Sequence, residues 1–404
     1  SYPEGGWSAW IVVLGSWMAC FGSMGLMNSL GIFQAYLSEH QLLEYSSSSI
    51  SWIFGVYSCL TFFCGVQIGP IFDAKGPRGV IFLGALGTVL FLLGLGFCTK
   101  YWHFMLTFGV FGGISLALVF GPSVSIVAHY FSKRRGLATG IASSGGSIGG
   151  IVFPIASERL FYQVGFAWTT RVLALLCLFT FTVALLTIRR RFPTKPISMA
   201  KVLPDLSAFS HGGLALTSLG VFFLEWGLFV PFSYLPSYAL SQHLSSEFSY
   251  SLLSVVNAAA VFGRLIPGYY ADRLGRFNVL ILAVVGCMLS NATLWLLAGS
   301  SQILMALFAI TFGFFSGSTV SLAPVCVGQL CRIELYGRYY ATAYVLVSVS
   351  ALTGIPIAGQ LLNICHGEYW GLIVFTACSY AASFICLAMA KIKCCGLEGA
   401  WAVF

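Results

Sequence analysis

One carboxylate stands in the middle of a long apolar run, Phe222-Phe223-Leu224-Glu225-Trp226-Gly227-Leu228-Phe229-Val230-Pro231. Charge is costly where water is excluded, so an acid in such a place is a candidate for binding and releasing a proton. The alternative is a Glu held neutral, or hydrogen-bonded to a neighbouring helix, for packing. Arg264 is a second buried-run charge. Its planar fork suits the carboxylate of an organic anion, and it could equally pair with backbone carbonyls or with Glu225. Asn28, Gln34 and Asn257 offer neutral hydrogen bonds inside other apolar runs, either to a substrate or between helices. Phe312, Phe314, Phe315, Ser316, Ser318 and Thr319 mix rings and hydroxyls, as a pocket for a largely apolar molecule would, although core packing explains any single Phe as well. Pro231 and Pro236 flank Phe232, Ser233, Tyr234 and Leu235, where freed backbone groups and a bend would suit a gate. The expected substrate-binding set is Asn28, Phe232, Asn257, Arg264, Phe315 and Ser316, with Glu225 as the proton-coupling group.

These residues need a lipid-embedded frame. Charged residues make up 8% of the 404 and apolar residues 58%, against about 25% charge in a soluble domain. The net charge of +8 is gathered in short clusters between apolar runs, with no basic stripe interleaved with aromatics, which excludes nucleic acid as a partner. The thirteen cysteines are scattered along apolar runs and read as small hydrophobes; no ligand spacing calls for a metal, and no cofactor is expected. Cys394-Cys395, after Lys391 and Lys393, are candidates for palmitoylation. No cleavable signal peptide is expected, because the first apolar run is too long and lacks a basic start. The sequon Asn291-Ala-Thr293 falls within a span and should carry no glycan.

Twelve hydrophobic spans can be counted, each long enough to cross a bilayer: Trp10–Phe33, Ile50–Phe72, Val80–Cys98, Phe104–Ala128, Leu137–Leu160, Trp168–Ile188, Leu214–Tyr234, Ser251–Tyr270, Val279–Ala298, Ile303–Gly328, Tyr339–Asn363 and Tyr369–Ala390. The fold class is therefore all-α and membrane-embedded. A polar segment with Arg189-Arg190-Arg191, Pro193, Lys195, Pro196, Lys201 and Pro204 splits the spans into a six-helix half over 1–190, a linker over 191–211 and a second six-helix half over 212–404. With both termini cytoplasmic, sixteen of the twenty Lys and Arg lie on the inner side and Lys100, Arg159 and Arg171 on the outer side, the bias that sets topology.

The stretch Gly121–Gly150 joins two spans through Lys133-Arg134-Arg135 and then places Gly136, Gly140, Ser144, Gly145, Ser147 and Gly149 at helical spacing, which lets another helix approach closely. The halves also repeat a loop. Gly69-x-x-x-Asp73-x-x-Gly76, with Arg78 beyond, recurs as Gly268-x-x-x-Asp272-x-x-Gly275, with Arg273 and Arg276. Glycines permit a tight turn, and the Asp can cap a helix or pair with an Arg. Two copies at corresponding places indicate parallel repeats of the kind alternating-access carriers use.

These loops resemble the signature of the major facilitator superfamily, which implies its twelve-helix fold and a conformational-switch role for the loop residues. Glu4-Gly5-Gly6-Trp7 before span one, and Tyr130-Phe131-Ser132-Lys133-Arg134-Arg135-Gly136-Leu137-Ala138-Thr139-Gly140 entering span five, further resemble the monocarboxylate porter family. Asn28-Ser29-Leu30-Gly31-Ile32-Phe33-Gln34-Ala35-Tyr36 resembles its fungal branch, which includes carriers of vitamins and carboxylates and efflux proteins for secondary metabolites. In that family, proton-coupled lactate carriers use a Lys in span one and an Asp four residues before an Arg in span eight. Here Asn28 and Ala260 stand at those positions and only Arg264 is retained, which argues against simple lactate–proton symport.

The expected function is a secondary transporter of a small organic metabolite, an organic acid or a hydrophobic secondary metabolite, in the direction of efflux, working by alternating access as a monomer in the plasma membrane. Proton-coupled uptake of a monocarboxylate or a vitamin such as riboflavin is the alternative within that class. A non-transporting membrane sensor is the alternative outside it. An enzyme is not expected, since no paired catalytic constellation is evident and His-Glu-x-x-His is absent, as is the phosphate loop of an ATP-driven pump.

Overall fold

In the bilayer core every backbone polar group must be satisfied within its own segment or a closed barrel, and this chain takes the helical solution. A computed structural model describes residues 5–131, 135–189, 191, 209–210, 212–330 and 336–396, without the side chains of 66, 69–75, 128, 135–137, 272, 336–338, 340 and 341. Its helices are α1 (Trp7–Met27), α2 (Leu30–Glu39), α3 (Ser47–Lys75), α4 (Pro77–Leu95), α5 (Tyr101–Phe104), α6 (Gly113–Ser125), α7 (Arg135–Thr187), α8 (Gly212–Ser241), α9 (Ser246–Leu274), α10 (Arg276–Leu289), α11 (Gln302–Gln329), α12 (Tyr336–Ile364) and α13 (Trp370–Cys395). A π-helical stretch over Met105–Gly112 joins α5 to α6, and another over Ser290–Trp295 prolongs α10. No strand occurs among the described residues.

Eleven helical stretches among the described residues are long and apolar enough to cross a membrane. The longest, Ala138–Thr187, is broken at Gly165, with φ 78° and ψ 173°, a conformation open to glycine. It is two spans, so the count is twelve, as expected. Conversely, α1 and α2 share one span, Trp7–Glu39, interrupted at Asn28–Ser29. The outer faces are apolar where lipid would lie: Phe82, Leu83, Leu86 and Leu90 on α4, and Leu175, Phe179 and Leu186 on α7, are exposed.

The contacts divide the chain into two compact units, Ser1–Leu43 with Trp52–Val202, and Glu44–Ser51 with Leu203–Phe404. The units repeat their packing glycine by glycine. A Cβ at Gly22 of α1 would stand 2.6 Å from the Phe181 ring, and one at Gly227 of α8 would stand 2.6 Å from the Tyr380 ring. Gly15 meets Thr187 and Ile188 where Gly220 meets Leu387 and Cys386. Gly149 packs on Phe21 and Gly354 on Trp226; Gly113 lies on the Tyr57 carbonyl and Gly313 on that of Val256. The two loop glycines match as well: Gly76 and Gly275 precede α4 and α10 with φ 86° and 89°.

The small-residue face of α7 packs against α1, with Gly146 on Met24 and Gly149 on Gly25, while Trp17 Nε1 donates to Ser144 Oγ at 3.2 Å. Gly140 is different, since nothing lies within 4 Å of where its Cβ would be.

Candidate functional site

Glu225 lies half-way along α8, only 5% exposed, and its Oε2 has no hydrogen-bond partner among the described residues. What surrounds it follows from the glycines beside it. Gly227 lets the fully buried Tyr380 of α13 lie flat on α8, which brings the ring within electrostatic range of Glu225 and its hydroxyl beside the Cys287 thiol of α10. The Phe312 ring of α11 is 6.4 Å from Tyr380 and 6.2 Å from Phe232. Three helices of the second unit thus join Phe232, Phe312 and Tyr380 in one run of rings, with Glu225 in electrostatic range of Tyr380. Stacked rings continue from Phe312 to Phe308 at 5.3 Å and on to Trp295 at 5.0 Å. Trp226 turns the other way, donating Nε1 to Thr353 Oγ1 of α12 at 2.9 Å. α8 continues through Pro231 and Pro236, neither of which has an N–H to donate back into the helix.

The remaining expected substrate residues have more local duties. Asn257 donates Nδ2 to the Leu253 carbonyl at 2.9 Å and keeps a buried Oδ1 without a partner among the described residues. Ser316 donates to Gly313 of its own helix at 3.2 Å. Phe315 packs its ring on Gly286 of α10, so its surface is taken up by the contact between α10 and α11. Arg264 is half-buried on α9, next to Gly263, whose carbonyl accepts from Ser318 Oγ at 2.8 Å. In the first unit, Asn28 caps α1 and donates Nδ2 to the Gly146 carbonyl at 3.3 Å, which pins the helix break to α7.

The motif residues mostly set helix ends. Arg78 Nε donates to the Ile188 carbonyl at 3.1 Å, and Arg273 donates to the Tyr269 hydroxyl at 2.7 Å while stacking on its ring. Arg276 begins α10, and Gly268 has open space at its Cβ position. Tyr130 donates to the Arg189 carbonyl at 3.0 Å, and the buried Phe131 lies 5.1 Å from Trp10. Gly5 and Gly6 lead into α1, with φ 152° and 84°, and Trp7 is 84% exposed, placed to anchor at a lipid interface. Lys133 and Arg134, and the side chains at Gly69, Asp73 and Asp272, lie outside the described residues. Among the described residues no group of His, Cys, Asp or Glu could hold a metal.

Sequence reasoning missed Tyr380. Tyrosine concentrates at membrane interfaces, so a tyrosine deep in the last span was the available signal.

Comparisons with known proteins give the family. The sequence profile of the Major Facilitator Superfamily matches residues 12–355. A riboflavin transporter of Saccharomyces cerevisiae is 33% identical over 98% of this chain and 81% of its own length. The aspyridones efflux protein of Emericella nidulans is 36% identical over 92% of this chain and 74% of its own. Among solved structures, the nucleoside transporter NupG superposes with a TM-score of 0.73 at 15% identity, covering 94% of this chain and 99% of that one. With twelve apolar spans, a profile match over most of its length and transporter relatives of this similarity, the chain belongs to the Major Facilitator Superfamily and is a multi-pass membrane transporter.

Proposed function

We propose that this transporter exports a small organic metabolite, an organic acid or a hydrophobic secondary metabolite, by alternating access coupled to protons at Glu225. The observation that carries the reading is Glu225 itself, a buried mid-span carboxyl whose Oε2 has no partner among the described residues, in electrostatic range of Tyr380, whose ring leads on to Phe312 and Phe232. The rings offer an apolar surface to the cargo, and the carboxyl offers a site that gains or loses a proton as access changes sides. The efflux relative in Emericella nidulans supports the direction. The Saccharomyces cerevisiae relative favours a second reading, uptake of a monocarboxylate or of a vitamin such as riboflavin. The distribution of Lys and Arg supports cytoplasmic termini, and the membrane is the plasma membrane. The segments before α1 and around Tyr130 support the monocarboxylate porter family, the halves are 1–190 and 212–404 about a linker over 191–211, and the working unit is a monomer.

The test is transport in proteoliposomes under an imposed pH gradient, across labelled carboxylates, riboflavin and hydrophobic fungal metabolites. Wild type should accumulate its cargo in response to the gradient, and Glu225→Gln should exchange cargo without responding to it. An equal response in both proteins, or none in wild type, would refute coupling at Glu225.

A further inference from the structure

A hydroxyl inside a membrane helix has a ready partner in the carbonyl three or four residues earlier. In the second unit most take it: Ser316, Thr319, Ser350, Thr376 and Ser379 each donate within their own helix at 2.8–3.2 Å. Four buried Ser and Thr hydroxyls of that unit do not. Thr217, Ser218 and Ser233 of α8 and Ser383 of α13 are at most 1% exposed and have no partner among the described residues.

All four belong to α8 or face it. Tyr380 and Leu387 of α13 fill the spaces at Gly227 and Gly220 of α8, and Ser383 lies on the same stripe, three residues after one and four before the other. Because the contacts pair Tyr380 with Gly227 and Leu387 with Gly220, Ser383 comes level with Leu224, one residue before Glu225 and about 100° round the helix from it. Ser218 precedes Glu225 by two helical turns on one face, about 10 Å at the helical rise, and Thr217 adjoins it. With Glu225 Oε2, unmet polar atoms follow α8 from its middle to its Gly212 end. Ser233 is the exception, toward the Ser241 end.

Buried polar groups in proteins are nearly always hydrogen-bonded, to water where protein groups do not serve. We propose that water held by Ser383, Ser218 and Thr217 forms a proton route within the second unit, between Glu225 and the Gly212 end of α8. The route rests on the reading of Glu225 as the proton-binding group. In one transfer the carboxyl O–H bond breaks as its proton passes to the first water. Each water releases one proton as it gains one, and the last is released at the Gly212 end; the reverse sequence reloads the carboxyl. The titratable groups in reach of Glu225 are Tyr380 of α13 and, behind it, Cys287 of α10. α9 carries Asn257 and Arg264, α11 presents Phe312 to Phe232, and α12 presents Thr353 to Trp226.

No cargo is needed for the test. The full-length protein in lipid is moved from H2O to D2O, and time-resolved infrared spectroscopy follows the protonated-carboxyl band that Glu225→Gln removes. Combining Thr217→Val, Ser218→Ala and Ser383→Ala should slow the isotope shift of that band by about tenfold, the rate equivalent of one lost hydrogen-bonded bridge. Ser233→Ala should leave it unchanged. Each single variant should slow it in part, which keeps the test open if the triple variant does not fold. An unchanged rate in folded variants overturns the route and leaves Glu225 as the coupling group. Slowing by Ser233→Ala alone overturns its direction. If no band is lost in Glu225→Gln at any pH, the coupling reading fails, and the route with it.

Discussion

Gly227→Ala joins the packing of the second unit to its candidate site. An added Cβ would stand 2.6, 2.8 and 2.9 Å from three carbon atoms of the Tyr380 ring, well inside ordinary carbon contact. The ring is fully buried, with Phe312 at 6.4 Å and Cys287 at its hydroxyl, so it has little room to yield. Overpacking of this kind costs about 1–3 kcal/mol. Against it stands the gain of up to about 1 kcal/mol from replacing glycine in a helix, and Gly140→Ala, with nothing within 4 Å, measures that gain alone. The mirror variant Gly22→Ala meets Phe181 at 2.6 and 2.9 Å and should cost as much as Gly227→Ala. Thermal unfolding of the purified protein in lipid nanodiscs, read by thiol labelling, gives all three values. In a Tyr380→Ala background the cost of Gly227→Ala should vanish, because the clashing atoms are gone. If Gly227→Ala is as stable as Gly140→Ala with Tyr380 present, α13 does not lie on α8 at this point, and the neighbourhood of Glu225 is wrongly assembled.

Two further outcomes can be read by the same unfolding assay. A double-mutant cycle of Trp226→Phe and Thr353→Val should return a coupling of about 0.5–1.5 kcal/mol for their hydrogen bond, and additivity would remove the link between α8 and α12. Gly165→Ala should cost about 1–3 kcal/mol, the strain of a glycine-only backbone conformation, and an unshifted midpoint would mean that α7 runs on without the break.

The spans were legible because hydrophobic length is a one-dimensional signal. The boundary read between Leu160 and Trp168 contains Gly165, the residue at which α7 breaks. The break at Asn28–Ser29 was hidden inside a span read as continuous. Its two residues carry no glycine or proline signal, and the interruption is held by Ser29 Oγ on the Gly25 carbonyl and Asn28 Nδ2 on Gly146, the second contact reaching a residue 118 positions away. Glu225 stood out because charge in an apolar run is conspicuous. Its companions did not, since hydropathy does not say which faces of two apolar helices meet. Phe312 and Phe315 stand three residues apart in one aromatic run, yet one joins Phe232 and Tyr380 while the other packs on Gly286.

The departures from the lactate-carrier pattern fit this packing. Ala260, where those carriers have an acid, is 3% exposed, and its carbonyl lies 2.6 Å from where a Cβ of Gly317 would stand. α9 and α11 are pressed together there, which leaves little room for a larger side chain between them. Asn28, where those carriers have a Lys, donates to the Gly146 carbonyl across the bend between α1 and α2, a bond that a neutral amide makes at no charge cost in a half-buried place. A small residue on α9 permits close packing, and an amide on α1 secures a bend. On the proposed reading, the acid that responds to protons is on α8, where buried hydroxyls without partners among the described residues leave polar positions for the water a titrating carboxyl requires. The helix that suits a proton site is then distinguished less by its charge than by the hydroxyls around it that have not bonded back to their own backbone.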